Sequence, residues 1–130
     1  MRKIISFWIS GGKNNIKYAL AAVYPPGGFI SWHNNANAPG YNLIFSYSED
    51  GSGYFEYIHP ETKEVIRSQD EAGTWTCKAA YFGHYGQDDQ IMYHAASTDD
   101  WRCTVSYVFD HSDESIALRE MVLTDIESVE

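Results

Sequence analysis

Apolar and polar side chains alternate along most of this chain. From Trp101 to Phe109 the residues Trp101, Cys103, Val105, Tyr107 and Phe109 make one face and Arg102, Thr104 and Ser106 the other, the period of two expected where a strand turns one side to a core. Between Ile91 and Ala96 the same period sets Met92, His94 and Ala96 against Ile91, Tyr93 and Ala95. If that run neighbours the next, His94 and Arg102 share a cavity. Such runs are rich in β-branched and aromatic residues and are punctuated by Gly, Pro, Asn and Asp. They predict strands over 3–9, 17–24, 28–33, 42–48, 53–59, 64–68, 74–82, 90–96 and 101–109. Glu49-Asp50-Gly51-Ser52-Gly53 and Pro60-Glu61-Thr62-Lys63 each read as hairpin turns. The helical period suits one stretch, 112–129, with Ser112 or Asp113 as cap and Leu118, Met121, Val122 and Ile126 on one face.

The expected fold is therefore all-β with a C-terminal helix, in a single domain over 1–130, since 130 residues supply one core. A composition 44% hydrophobic and 15% aromatic excludes a disordered chain. Nine basic against eighteen acidic residues give a net charge of −9, which repels phosphate backbones and anionic lipid and argues against nucleic-acid or membrane partners. The charge is uneven: from Asp110 to Glu130 stand seven acids and one arginine, so the body is close to neutral. Cys77 and Cys103 have neither zinc-knuckle spacing nor the density of a secreted disulfide scaffold, and a reducing, cytoplasmic setting is the simpler expectation. Met1-Arg2-Lys3 followed by Ile4–Ile9 begins like a signal peptide, but the run ends at Gly11-Gly12-Lys13 without a small-residue cleavage site and reads as a strand.

No phosphate-binding loop, nucleophile elbow, C-x-x-C or H-E-x-x-H helix occurs, so NTPase, α/β-hydrolase and zinc-protease chemistry have no footing. What stands out is Tyr24-Pro25-Pro26-Gly27-Gly28-Phe29-Ile30-Ser31-Trp32-His33-Asn34-Asn35, then His94, then Arg102 eight residues on. This set resembles the prolyl-4-hydroxylase-like branch of the Fe(II)/2-oxoglutarate-dependent oxygenases, in which a Y-x-x-G segment leads to H-x-D and a distal His is followed by Arg or Lys. Gly53-Tyr54-Phe55-Glu56-Tyr57 and Trp75-Thr76-Cys77-Lys78 are similar to small phage-encoded members, and the likeness runs from about Tyr24 to Phe109. It implies a double-stranded β-helix, a jelly-roll relative, with Fe(II) and 2-oxoglutarate as cofactors. His33, residue 35 and His94 become metal ligands, Arg102 the clamp on the co-substrate carboxylate, and Tyr24 and Thr104 its companions. Two imidazoles and a carboxylate on one face of iron leave three positions open, and a guanidinium offers a planar fork that keeps its proton. The implied reaction couples decarboxylation of 2-oxoglutarate to hydroxylation of an unknown substrate.

The acid position of that motif holds Asn35, whose neutral amide oxygen is a poorer ligand for a hard cation. Three outcomes follow: a weakened iron site, a sphere completed by water or another acid such as Glu56, or a lost metal on a retained fold. Two other classes compete. One is a catalytically inactive jelly roll serving as a phage structural or accessory protein, virion-associated and with a protein partner. The other is a cupin-like binder in which Tyr24, His33, His94 and Arg102 hold a small anionic ligand without metal. Blander roles also exist: a turn histidine at His33, a satisfied core histidine at His94, and an Arg102 paired with Asp99 or Asp100. His59, His84 and His111 fall in predicted turns and are expected to be solvated.

Overall fold

The computed structural model describes residues 5–10, 16–35, 41–83, 86, 88–109 and, toward the C-terminus, 113, 116–118, 120–121 and 124. Among these residues run nine strands: β1 (Ile5–Ser10), β2 (Ile16–Tyr24), β3 (Phe29–His33), β4 (Tyr41–Ser48), β5 (Tyr54–Ile58), β6 (Val65–Gln69), β7 (Trp75–Tyr81), β8 (His94–Ser97) and β9 (Arg102–Phe109). One sheet has the order β1-β2-β9-β4-β7 and the other β3-β8-β5-β6, and every neighbouring pair is antiparallel. From β2 onward the chain changes sheet at each step except the β5–β6 hairpin. That winding is the jelly roll, or double-stranded β-helix.

Strand β9 is central to the larger sheet, pairing β2 on one edge and β4 on the other, so Tyr24, Arg102 and Ser48 form one row. Its period of two holds, and the polar set is the one turned inward: Arg102, Thr104, Ser106 and Val108 face the space between the sheets, while Trp101, just before the strand, is 54% exposed. The step from β2 to β3 is a tight turn in which Gly28 N–H donates to the Pro25 carbonyl at 2.7 Å. Pro26 fixes the first central position, and Gly27, at φ +76°, takes a left-handed second position that a side chain would strain. This turn sets β3 in the opposite sheet, where Ile30 packs on the buried cluster of Ala22, Tyr24 and Ala96.

Two expectations are corrected. Glu49–Gly53 is not a hairpin turn, because β4 already has β7 and β9 on its two edges and the chain must cross to the other sheet to start β5. The strand expected over 90–96 begins at His94: Asp88–Gln90 form a turn, and Met92 N–H donates instead to the Phe82 carbonyl at 3.2 Å. Helix is present at Asp113, Ile116–Leu118, Glu120, Met121 and Thr124, within the stretch expected to be helical, and Met121 is 56% exposed. Ser112, Val122 and Ile126 lie outside the described residues. No helix among the described residues is long and apolar enough to cross a membrane.

Candidate functional site

The inner faces of the two sheets enclose a cavity of about 950 Å³. His33 ends β3 and His94 opens β8, directly opposite each other in the register of that pair. Their ring centres are 4.2 Å apart and both rings line the cavity. Each ring is aimed by a carbonyl two residues before it: Nδ1 of His33 lies 2.8 Å from the Ser31 carbonyl and Nδ1 of His94 3.0 Å from the Met92 carbonyl. Because a carbonyl only accepts, Nδ1 is the donor in both rings, and in the neutral form of each ring the Nε2 lone pair is left free. His94 is also stacked on Phe82 at 4.4 Å and lies 5.5 Å from Phe55. Burial pushes its pKa down to about 4, with the neighbouring His33 adding to the effect and the Met92 carbonyl opposing it. Asn35 lines the same cavity.

The far wall is ionic. Arg102 is 2% exposed; its Nε donates to Asp70 Oδ2 at 2.5 Å, and its Nη2 is 3.4 Å from both Asp70 Oδ1 and Ser46 Oγ. Its guanidinium carbon sits 5.1 Å from the centre of the Tyr24 ring. Burial raises the Tyr24 hydroxyl above its ordinary value, against the pull of Arg102, so it acts as a neutral hydrogen-bonding group. Gly53 is required here: a Cβ would meet Asp70 Oδ2 at 2.5 Å and Arg102 Cδ at 2.7 Å. Asp70 is fixed in turn by its N–H donating to the Gly53 carbonyl at 2.8 Å.

Tyr24, His33, Asn35, His94, Arg102 and Thr104, all singled out from sequence, therefore line one cavity. The surroundings of these residues differ from the readings weighed for Glu56, Arg102 and His59. Glu56 cannot complete a metal sphere, because its neighbours Phe55 and Tyr57 take the inward positions of β5 while Glu56 accepts from Arg67 Nη2 at 2.6 Å. Among the described residues no three His, Cys, Asp or Glu side chains gather as a metal site. Nor does Arg102 pair with Asp99 or Asp100. Its partner Asp70 lies 32 residues away in the chain, where no local pattern announces it. Lys78 was also missed as a site residue, although the alternation Thr76, Lys78, Ala80 in β7 gives the signal. His59, expected to be solvated, lines the cavity and accepts at Nδ1 from the Glu61 and Thr62 N–H groups, closing the β5–β6 turn. His84 and His111 lie outside the described residues.

Two imidazoles bound to one ion at about 2.1 Å each bring their rings within a few ångströms, and the pair here meets that condition. A tie from Nδ1 to a backbone carbonyl is also the usual support of a ligating histidine. The rest of the donor set does not fit Fe(II) with 2-oxoglutarate. The residue at the expected third ligand position, Asn35, offers a neutral amide, and Arg102, the cation expected to hold the co-substrate, is already paired with the buried Asp70 carboxylate.

No family model matches this chain, and no curated protein matches it in sequence. Solved structures do match in shape. A prolyl-4-hydroxylase from Pseudomonas putida superposes with a TM-score of 0.57 at 13% identity, over 85% of this chain and 71% of that one. Peruvianin-I, a cysteine peptidase from Thevetia peruviana latex, gives 0.55 at 9%, over 82% and 61%. A recombinant oxalate oxidase in complex with glycolate gives 0.55 at 12%, over 82% of this chain but 51% of its own length. A hydroxylase, a peptidase and an oxidase on one frame show that shape here does not select a reaction. Strand order and these neighbours together make the chain a jelly-roll protein of cupin-like fold.

Proposed function

We propose that this protein is a cupin-fold small-molecule binder whose ligand sits between the sheets against His33 and His94, and that it is not a working Fe(II)/2-oxoglutarate oxygenase. The observation that carries the reading is the content of the cavity. Its roughly 950 Å³ lies within the range of small-ligand sites, and a few polar groups converge on an otherwise apolar wall. His33 and His94 present Nε2 as an acceptor, Asn35 offers an amide, and Tyr24 and Thr104 offer hydroxyls. Leu20, Ile30, Ile44 and Met92 take the apolar part of the ligand. The missing carboxylate at residue 35 and the occupied guanidinium at Arg102 argue against oxygenase turnover.

The test is a nuclear magnetic resonance titration in the presence of a metal chelator, using small organic acids and their methyl esters. Shifts gathered at the amides of Ala22, Ile30 and Ala96 are expected. Succinate formed from 2-oxoglutarate by the wild-type chain with added Fe(II) would overturn the non-catalytic reading. A second reading rests on the Nδ1 ties of the histidine pair: a weakly held divalent ion and an oxygenase-like role. Calorimetric titration of Mn(II) into the wild-type chain decides it, since no heat leaves the pair as ligand contacts alone.

A further inference from the structure

The described wall of the cavity carries charge of one sign. Its ionisable chains other than histidine and tyrosine are Arg67, Lys78 and Arg102, with no Asp or Glu among the lining residues, in a chain of net charge −9. Two of these cations are satisfied from outside the cavity. Arg67 donates through Nε at 2.8 Å and Nη2 at 2.6 Å to one oxygen of Glu56, and Arg102 is held from behind by Asp70. Lys78 differs. Its closest charged partner among the described residues is Asp70 Oδ1 at 3.9 Å, an oxygen already shared with Arg102. Its side chain is 30% exposed, whereas those of Arg102 and Asp70 are 1% and 2% exposed.

With each arginine balanced by an acid, the described wall keeps one net positive charge, and it sits on the one cation of that wall that no hydrogen bond holds among the described residues. A single charge calls for a single negative charge on the ligand, whereas a phosphate monoester would bring close to two. The apolar remainder of the wall calls for an apolar body. We propose that the ligand is a small monocarboxylic acid with an apolar body, and that Lys78, not Arg102, is the side chain that binds its carboxylate. This rests on the reading of the cavity as a ligand site. Burial lowers the Lys78 amine below its ordinary value while Asp70 pulls it back up, a state that an incoming carboxylate relieves. Arg102 and Asp70 then serve as framework: the arginine that looks like a cofactor clamp is clamped itself.

Hexanoate and methyl hexanoate, which share an apolar body and differ in charge, are the probes. Each is titrated into the full chain and into Lys78→Gln and Lys78→Arg, with cavity amides followed by nuclear magnetic resonance and thermal midpoints measured alongside. Hexanoate should bind the wild type, weaken roughly ten- to hundredfold in Lys78→Gln, as expected for loss of a charged hydrogen bond, and recover in Lys78→Arg. The neutral ester should bind weakly and equally to all three, which shows that Lys78→Gln keeps its cavity. Hexanoate binding unchanged in Lys78→Gln overturns the assignment of Lys78 and leaves the cavity reading standing. Ester binding tighter than acid overturns the carboxylate. Binding of neither probe overturns the cavity reading and this inference with it.

Discussion

The two walls of the cavity are built by opposite means. On the histidine wall each ring is aimed by the carbonyl two residues before it in its own chain segment, Ser31 for His33 and Met92 for His94. On the ionic wall nothing is local: Arg102 from β9 meets Asp70 from beyond β6, Ser46 from β4 and the bare backbone of Gly53. Parts aimed independently can be changed one at a time, and interlocked parts fail together. Function therefore has room to vary on the histidine wall, and stability is invested in the ionic one. That contrast explains why a change at residue 35 should be tolerated more easily than one at Arg102.

Asp70→Ala should break the contrast hardest. It strands a guanidinium that is 2% exposed, and removing one member of a buried pair costs about 3–5 kcal/mol. Urea denaturation should show the unfolding free energy falling by that amount, with the midpoint shifting accordingly. Glu56→Ala, which disrupts the exposed pair with Arg67, should leave the midpoint nearly in place. Equal losses in the two variants would mean that the ionic wall is not the keystone described here.

The next effect is a pH dependence confined to the histidine wall. His94 titrates near 4 when folded, against its ordinary 6.5, so unfolded chains take up its proton first as pH falls. Its contribution is complete above about pH 6.5 and drains away by about pH 4, a loss of about 3 kcal/mol. Stability measured across that window in a metal chelator should slope accordingly, and His94→Phe should flatten the slope. A slope that survives in His94→Phe would assign it to other groups.

Gly53→Ala comes third. The new Cβ would press on Asp70 Oδ2 at 2.5 Å and on Arg102 Cδ at 2.7 Å, and forced repacking of this kind costs about 1–3 kcal/mol. In an Asp70→Ala background the same substitution should cost less, because one of the two obstructing groups is gone. Chemical denaturation of the four chains gives the coupling, and strict additivity would separate Gly53 from the ion pair.

How far the sequence reveals each wall follows from the same contrast. Strand periodicity is a local property, so β9 and the shared face of Arg102, Thr104 and Ser106 could be read directly, and the family resemblance carried by Tyr24, His33, His94 and Arg102 pointed to the rest of the cavity. Asp70 could not be read, because it stands among Gln69, Glu71 and other solvated-looking residues and meets Arg102 only after the chain has crossed between sheets. The same crossing defeated the hairpin expected at Glu49–Gly53: turn chemistry specifies a bend, and whether the next strand pairs or crosses depends on edges that β7 and β9 had already filled. Lys78 was legible in principle by alternation, yet a lone lysine in a strand gives no sign of whether it faces water or a cavity.

Asn35→Asp should have the smallest effect on stability and a selective one on chemistry. Residue 35 lines the cavity two positions beyond His33 and is half-buried, so a carboxylate there keeps access to water and the fold should barely respond. Divalent affinity should rise about tenfold or more, since an anionic oxygen is a much better partner for a hard cation than an amide. Because each ring of the histidine wall is aimed by a local carbonyl, that gain should be the same in a Lys78→Gln background, giving additive free energies in a double-mutant cycle. Calorimetric Mn(II) titration of the four chains measures this. Coupling between residues 35 and 78 would show that the two walls act as one site, and absence of binding in every chain would show that His33 and His94 meet for packing and ligand contact alone.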